Sequence, residues 1–182
     1  MTLAPTLLLD RDGVINHDRP DYIRSIEQFR FLPGVLEALA RLEQAKVAVV
    51  IITNQACVGK GLISPAELQA IHDHLRQRVA EAGGRIHAIF HCPHTNEDHC
   101  PCRKPKPGLI LAAQRELGFP FASTWMVGDA VRDVTAALAA GCRPAIVRTG
   151  KGAATAAELP EVTSFATLTG FVDHFLENLS PS

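Results

Sequence analysis

The stretch Leu7-Leu8-Leu9-Asp10-Arg11-Asp12-Gly13 sets three consecutive apolar residues directly before two carboxylates separated by one arginine. A short unbroken apolar run has no face reserved for water. It reads as a strand covered on both sides, with a functional loop at its carboxyl end. Working outward, the β-branched run over 47–52 reads as a second buried strand, and shorter strands are predicted over 86–90, 124–127 and 145–147. Between them, Val35, Leu36, Leu39 and Leu42 recur at helical spacing behind Pro33, a residue suited to a helix start. Ser64-Pro65-Ala66-Glu67 predicts a capped helix running to about residue 82, ended by Gly83-Gly84. Further helices are predicted over 108–117, 131–140 and 171–179. Alternating strands and helices predict one α/β domain over 1–182, a three-layer Rossmann-like architecture with a central parallel sheet.

Composition narrows the function classes. The 182 residues carry a formal net charge of -1, so no nucleic acid partner is expected. No run approaches the ~20 apolar residues that span a bilayer, and no basic leader precedes Leu7. A soluble, cytoplasmic monomer with no membrane partner is the expectation. Once the core is assigned, no block of about a hundred residues remains for a large cap domain, of the size at which chains split into further domains. Loops over 16–24 and 56–61 and the cysteine-bearing loop over about 91–105 are left to cover a site.

Ligands of an open α/β sheet bind at the carboxyl ends of its strands. Four polar patches fall there: Asp10 to Gly13, Thr53-Asn54-Gln55, Arg103-Lys104-Pro105, and Gly128-Asp129 with Asp133. Two carboxylates one residue apart point to the same side of a nearly extended segment. One can attack phosphorus while the other protonates the departing oxygen and then deprotonates water. Phosphoryl transfer also needs charge compensation and a cation. Asp129 can join Asp10 in holding Mg²⁺, with Asp133 behind it. Thr53 and Asn54 can donate to phosphoryl oxygens, and Lys104 supplies positive charge.

Cys92-x-His94 followed by Cys100-x-Cys102 offers three thiolates and an imidazole, the donor set of a closed structural Zn²⁺ site within a loop over about 91–105. His91 and His99 are alternative imidazoles. Cys57 and Cys142 lie apart and read as small buried residues. His72 and His74 fall inside the predicted helix over 65–82, away from strand ends, and read as surface or outlying core histidines.

Together these segments resemble the haloacid dehalogenase superfamily, through Asp10-Arg11-Asp12-Gly13-Val14, Ile52-Thr53-Asn54, Lys104 and Gly128-Asp129-Ala130-Val131-Arg132-Asp133. The resemblance implies that Asp10 is the nucleophile and Asp12 the general acid/base. It also implies Mg²⁺ held by Asp10, the Asp12 backbone carbonyl and Asp129. Thr53-Asn54-Gln55, Cys92-Pro93-His94, Cys100 to Pro105 and Arg148-Thr149-Gly150-Lys151 look like its subgroup of heptose-bisphosphate and histidinol-phosphate phosphatases. That closer match implies a small phosphorylated sugar as partner, a heptose 1,7-bisphosphate losing its C7 phosphate, with histidinol phosphate as the alternative. It assigns Asp18, Tyr22, Asn54, Gln55 and Arg103 to the substrate, Arg103 to a second phosphate or a hydroxyl. Cys57, Lys60 and Ala130 depart from the subgroup's usual residues. Two readings from other classes compete: a phospho-accepting signalling domain, and a zinc-organised interaction module. Asp12, placed to activate water, favours turnover over the first, and the second leaves three patches without a role.

Overall fold

The computed structural model describes residues 5–179. Strands β1 (Thr6–Leu9), β2 (Ala48–Asn54), β3 (Ala88–Cys92), β4 (Trp125–Gly128), β5 (Arg143–Val147) and β6 (Ser164–Phe165) form one sheet in the order β3-β2-β1-β4-β5-β6. Every pairing is parallel. Helices α1 (Val35–Gln44), α2 (Ala56–Gly59), α3 (Pro65–Glu81), α4 (Gly108–Leu117), α5 (Val131–Ala140), α6 (Gly152–Glu158) and α7 (Leu168–Glu177) connect and flank them, with short 3-10 turns at Ile26–Gln28, Asn96–Asp98 and Phe121–Ser123.

Strand alternation builds the layers. Leu7, Leu9, Val49 and Ile51 pack into one apolar cluster with residues of α1, α3 and α7. Leu8, Val50 and Ile52 pack into a second with residues of α4 and α5. Both faces of β1 are therefore closed, as its unbroken leucine run requires. No described helix is long and apolar enough to cross a membrane.

The chain builds outward from β1 to β3, then returns to place β4 on the free side of β1. That reversal opens a crevice between the carboxyl ends of β1 and β4, where such sheets bind ligands. Leu9 is in register with both Ile51 and Val127, so Asp10, Thr53 and Asp129 emerge on one rim.

Most predicted elements are present with shifted ends. The α3 capping box is formed: Glu67 N–H donates to Ser64 Oγ at 3.1 Å, and Ser64 N–H to Glu67 Oε2 at 2.6 Å. Helix α1 starts at Val35, two residues after Pro33, because Gly34 turns the chain into it with φ of 76°. Strand β3 runs on to Cys92, which pairs with Asn54 and brings the cysteine loop to the site. Helix α6 and the two-residue β6, both after Gly150, were not foreseen. Trp125 packs edge-on to Phe171 with ring centroids 5.7 Å apart.

Candidate active site

Three buried carboxylates and one buried ammonium meet in the β1/β4 crevice. Lys104 Nζ donates to Asp10 Oδ1 at 3.0 Å and to Ile52 O at 2.7 Å, and lies 2.7 Å from Asp133 Oδ1. Asp133 Oδ2 accepts from the N–H groups of Asp129 and Ala130, tying the start of α5 to the strand end. Asp129 Oδ2 accepts from Lys151 N–H at 2.9 Å. Asp10 Oδ2 and Asp129 Oδ1 remain buried without a hydrogen-bond partner. Burial and the charge of Asp133 push the Asp10 carboxyl up to about 8, against the pull of Lys104. Burial likewise lifts Asp129 to about 6.

Oxygen atoms of Asp10, Asp129 and Asp133 all lie within 4.8 Å of one another. One ammonium leaves this group short of positive charge, and an all-oxygen donor set suits a hard divalent cation. Glycine is required alongside. A Cβ on Gly13, whose φ is 84°, would stand 2.0 Å from Asp129 Oδ2, and one on Gly150 would stand 2.3 Å from it.

Asp12 is held apart from that group. Its Oδ1 accepts from Arg11 Nε at 3.1 Å, Arg11 Nη2 at 2.9 Å and Asn16 Nδ2 at 2.9 Å, and its Oδ2 accepts from Gln55 Nε2 at 2.9 Å. Burial opposes its ionisation, yet the Arg11 guanidinium and these donors outweigh it and keep the carboxyl below its ordinary range.

Arg11 is fully buried, and its Nη1 lies 3.2 Å from His72 Nε2. Since arginine only donates, His72 accepts at that nitrogen. Burial and the nearby guanidinium hold His72 neutral down to about 3. The expectation of an outlying histidine is thus corrected: α3 passes behind the β1 loop and presents His72 to Arg11.

The second patch also differs in detail. Gln55, expected on the substrate, is buried and spends its amide on Asp12 and on Thr53 Oγ1 at 2.9 Å. The Asn54 side chain exchanges two 3.1 Å hydrogen bonds with the Lys104 backbone, clamping the cysteine loop to β2.

In that loop, Cys92, His94, Cys100 and Cys102 converge. The sulfurs are 3.3 to 3.6 Å apart, and His94 Nδ1 lies 3.5 Å from Cys92 and 3.3 Å from Cys102. Tetrahedral ligands at about 2.3 Å from zinc stand roughly 3.8 Å apart, so the four atoms already approximate its corners. Burial raises the Cys92 thiol to about 12. His91 packs near His72 instead, and Cys57 and Cys142 are buried.

Above Asp12 opens a cavity of about 470 Å³. Asp18, Tyr22, Asn54 and Arg103 line it, as the sequence suggested, and so do Arg132 and Lys151, which the sequence reading left without a role. Tyr22 adopts a left-handed φ of 69° and receives Lys60 Nζ 5.2 Å above its ring. Lys151 Nζ lies 3.7 Å from Asp18 Oδ2, across the mouth.

Known proteins share this framework. A HAD-hydrolase-like family model matches residues 101–175. A D-glycero-beta-D-manno-heptose-1,7-bisphosphate 7-phosphatase of Pseudomonas aeruginosa is 45% identical over 158 residues, covering 86% of this chain and 89% of the relative. The enzyme of that name from Neisseria meningitidis serogroup B is 41% identical over 181 residues, covering 96% and 97%. The crystal structure of D,D-heptose 1,7-bisphosphate phosphatase from Bordetella bronchiseptica, complexed with magnesium and phosphate, superposes with a TM-score of 0.93. It shares 41% identity, over 96% of this chain and 99% of that one.

Proposed function

The chain belongs to the D-glycero-beta-D-manno-heptose-1,7-bisphosphate 7-phosphatase family of HAD-like hydrolases, and on that premise we propose that it is a Mg²⁺-dependent phosphatase removing the C7 phosphate of a heptose 1,7-bisphosphate. The observation that carries this reading is the pair of buried, unpartnered oxygens, Asp10 Oδ2 and Asp129 Oδ1, beside Lys104 and within one crevice with Asp12. It supports Asp10 and Asp129 as residues that hold Mg²⁺, with Asp133 orienting Asp129, and the family resemblance adds the Asp12 backbone carbonyl. When bound, the cation would give the orphaned oxygens a partner, favour the ionised form of Asp10 against its burial, and neutralise phosphoryl charge.

In this reading the Asp10 carboxylate attacks phosphorus, the bond from phosphorus to the C7 oxygen breaks, and Asp12 gives that oxygen its proton. An arriving phosphate dianion raises the proton affinity of Asp12, as a like charge does, and so supplies the protonated form. Asp12, again a carboxylate, then takes a proton from the water that attacks the aspartyl phosphate, and the bond from phosphorus to Asp10 breaks, releasing inorganic phosphate and the Asp10 carboxylate. Lys104 compensates the charge of the transferred group, with Thr53 buried behind it. Asp18, Tyr22 and Arg103 enclose the sugar. Cys92, His94, Cys100 and Cys102 hold a structural Zn²⁺, in keeping with a reducing cytoplasmic setting for a monomer.

The test is phosphate release, with Mg²⁺ and with chelator, across heptose 1,7-bisphosphate, fructose 1,6-bisphosphate and histidinol phosphate. Mg²⁺-dependent preference for the heptose is expected. Preference for histidinol phosphate would keep the chemistry and reject the substrate.

His72 provides a check on the Asp12 setting. His72→Leu leaves an Arg11 N–H buried without an acceptor, a loss of about 1–3 kcal/mol of stability, and lets the guanidinium that orients Asp12 shift. His72→Gln keeps an acceptor and restores most of both. Wild-type stability contains a pH term of known sign. The unfolded chain binds a proton on His72 below about 6.5, and the folded chain does so only near 3. Stability due to this site therefore falls as pH drops from about 6.5, by up to ~1.4 kcal/mol per pH unit. Urea midpoints at pH 7.5 and 5.5 should fall more in wild type than in His72→Gln, and an equal fall in both would reject the buried neutral histidine.

A further inference from the structure

Arg132, the second residue of α5, lines the cavity above Asp12 but has none of the duties described so far. Its Nε is enclosed and has no hydrogen-bond partner. It feels the charge of Asp10, Asp133, Asp129 and Asp18 without forming an ion pair with any of them. Arg103, the other guanidinium of the cavity, is differently placed, with Nε on Asn96 Oδ1 at 2.7 Å and Nη1 on His94 O at 3.3 Å.

Sheet order separates the two. Arg103 and Asn54 stand on the β2 and β3 side of Asp12, whereas Arg132 and Lys151 follow β4 and β5 on the other side. A phosphoryl group docked against Asp10 would have Lys104 as its cation, since Lys104 Nζ lies 3.0 Å from Asp10 Oδ1, and would leave most of the cavity of about 470 Å³ above Asp12 to the rest of the substrate. A half-buried guanidinium with free N–H groups in that cavity is complete only when an anion accepts from it, and a phosphate matches its fork.

We propose that Arg132 is a specificity-determining residue that donates to the phosphate remaining on the product, with Lys151 as the second cation on that flank. This rests on the bisphosphate reading above and adds to it the side of the cavity that recognises the retained phosphate.

The experiment compares wild type, Arg132→Met and Arg132→Lys on heptose 1,7-bisphosphate and heptose 7-phosphate in saturating Mg²⁺. Folding is checked by circular dichroism, and Lys151→Met carries the same comparison should Arg132→Met not fold. The wild type is expected to prefer the bisphosphate. Arg132→Met should raise KM for the bisphosphate about 10- to 100-fold with kcat little changed, leave KM for the monophosphate within about 3-fold, and be partly rescued by lysine. Equal losses on both substrates, or a fall in kcat alone, would put Arg132 on the transferred group and overturn the proposal, as would no change. A wild type indifferent to the second phosphate would sink the substrate reading itself. A wild-type preference that survives in Arg132→Met would sink only the assignment of Arg132.

Discussion

Asp10→Asn is expected to lower turnover by roughly four to six orders of magnitude, the scale on which removing a covalent nucleophile is felt. Asp12→Asn should approach that loss with a different signature, because its Asp10 can still attack while no group remains to protonate the leaving oxygen or activate water. Asp10→Asn should also be more stable than wild type when Mg²⁺ is absent. Burial and Asp133 oppose the Asp10 charge, and its carboxyl titrates near 8 when folded against 3.8 ordinarily. A group raised in this way costs stability as pH climbs through that interval, and an amide has no such cost. Rapid-quench phosphate release and thermal melts with and without Mg²⁺ report both effects. Near-wild-type turnover by Asp10→Asn would reject covalent catalysis. A variant less stable than wild type without Mg²⁺ would reject the picture of an undercompensated carboxylate cluster.

Part of this site is legible in sequence because Asp10 and Asp129 directly follow buried strands and Thr53 lies near the end of one. Three leucines before Asp10, a β-branched run before Thr53 and Trp125 to Gly128 before Asp129 are local signals, and a parallel sheet places all their ends on one rim. The α3 start was equally readable, since its capping box lies within four consecutive residues. What escaped depends on contacts between distant segments. His72 reads as an ordinary helical residue until α3 is laid behind Arg11, sixty-one positions away in the chain. Gln55 follows a strand as a substrate-facing residue would, but α2 turns its amide inward onto Asp12. Arg132 lies inside the Asp129 motif, yet nothing local separates a solvated arginine from one held over a cavity. The segment after Gly150 carries a weak pattern, and one of its contributions to the site is a backbone N–H from Lys151, which any residue but proline could supply.

The cysteine loop tests whether a site remote from the chemistry sets its geometry. Between Cys92 and Gly108 the chain has a single short helical turn over Asn96–Asp98, yet it must deliver Lys104 Nζ to within 3.0 Å of Asp10. Besides hydrogen bonds such as those of Arg103 and Lys106 within the loop, two restraints bear on where Lys104 sits: the Asn54 clamp on its backbone, and the four converging metal-type ligands. A bound structural zinc contributes on the order of 10 kcal/mol of ordering free energy, far more than two hydrogen bonds. Stripping metal with a strong chelator and restoring Mg²⁺ alone should therefore cut turnover about 100-fold or more, the scale expected when a catalytic group is misplaced by about 1 Å. Far-UV circular dichroism should change little, because both apolar clusters of the sheet are built mainly from strand and helix residues outside the loop. Cys102→Ser should reproduce the loss without chelator, and metal analysis of the untreated protein should return about one zinc per chain, the content of one closed four-ligand site. Full activity in zinc-free, Mg²⁺-loaded protein would mean that the Asn54 clamp alone positions Lys104. The cysteines would then serve the loop's surface and not the active site.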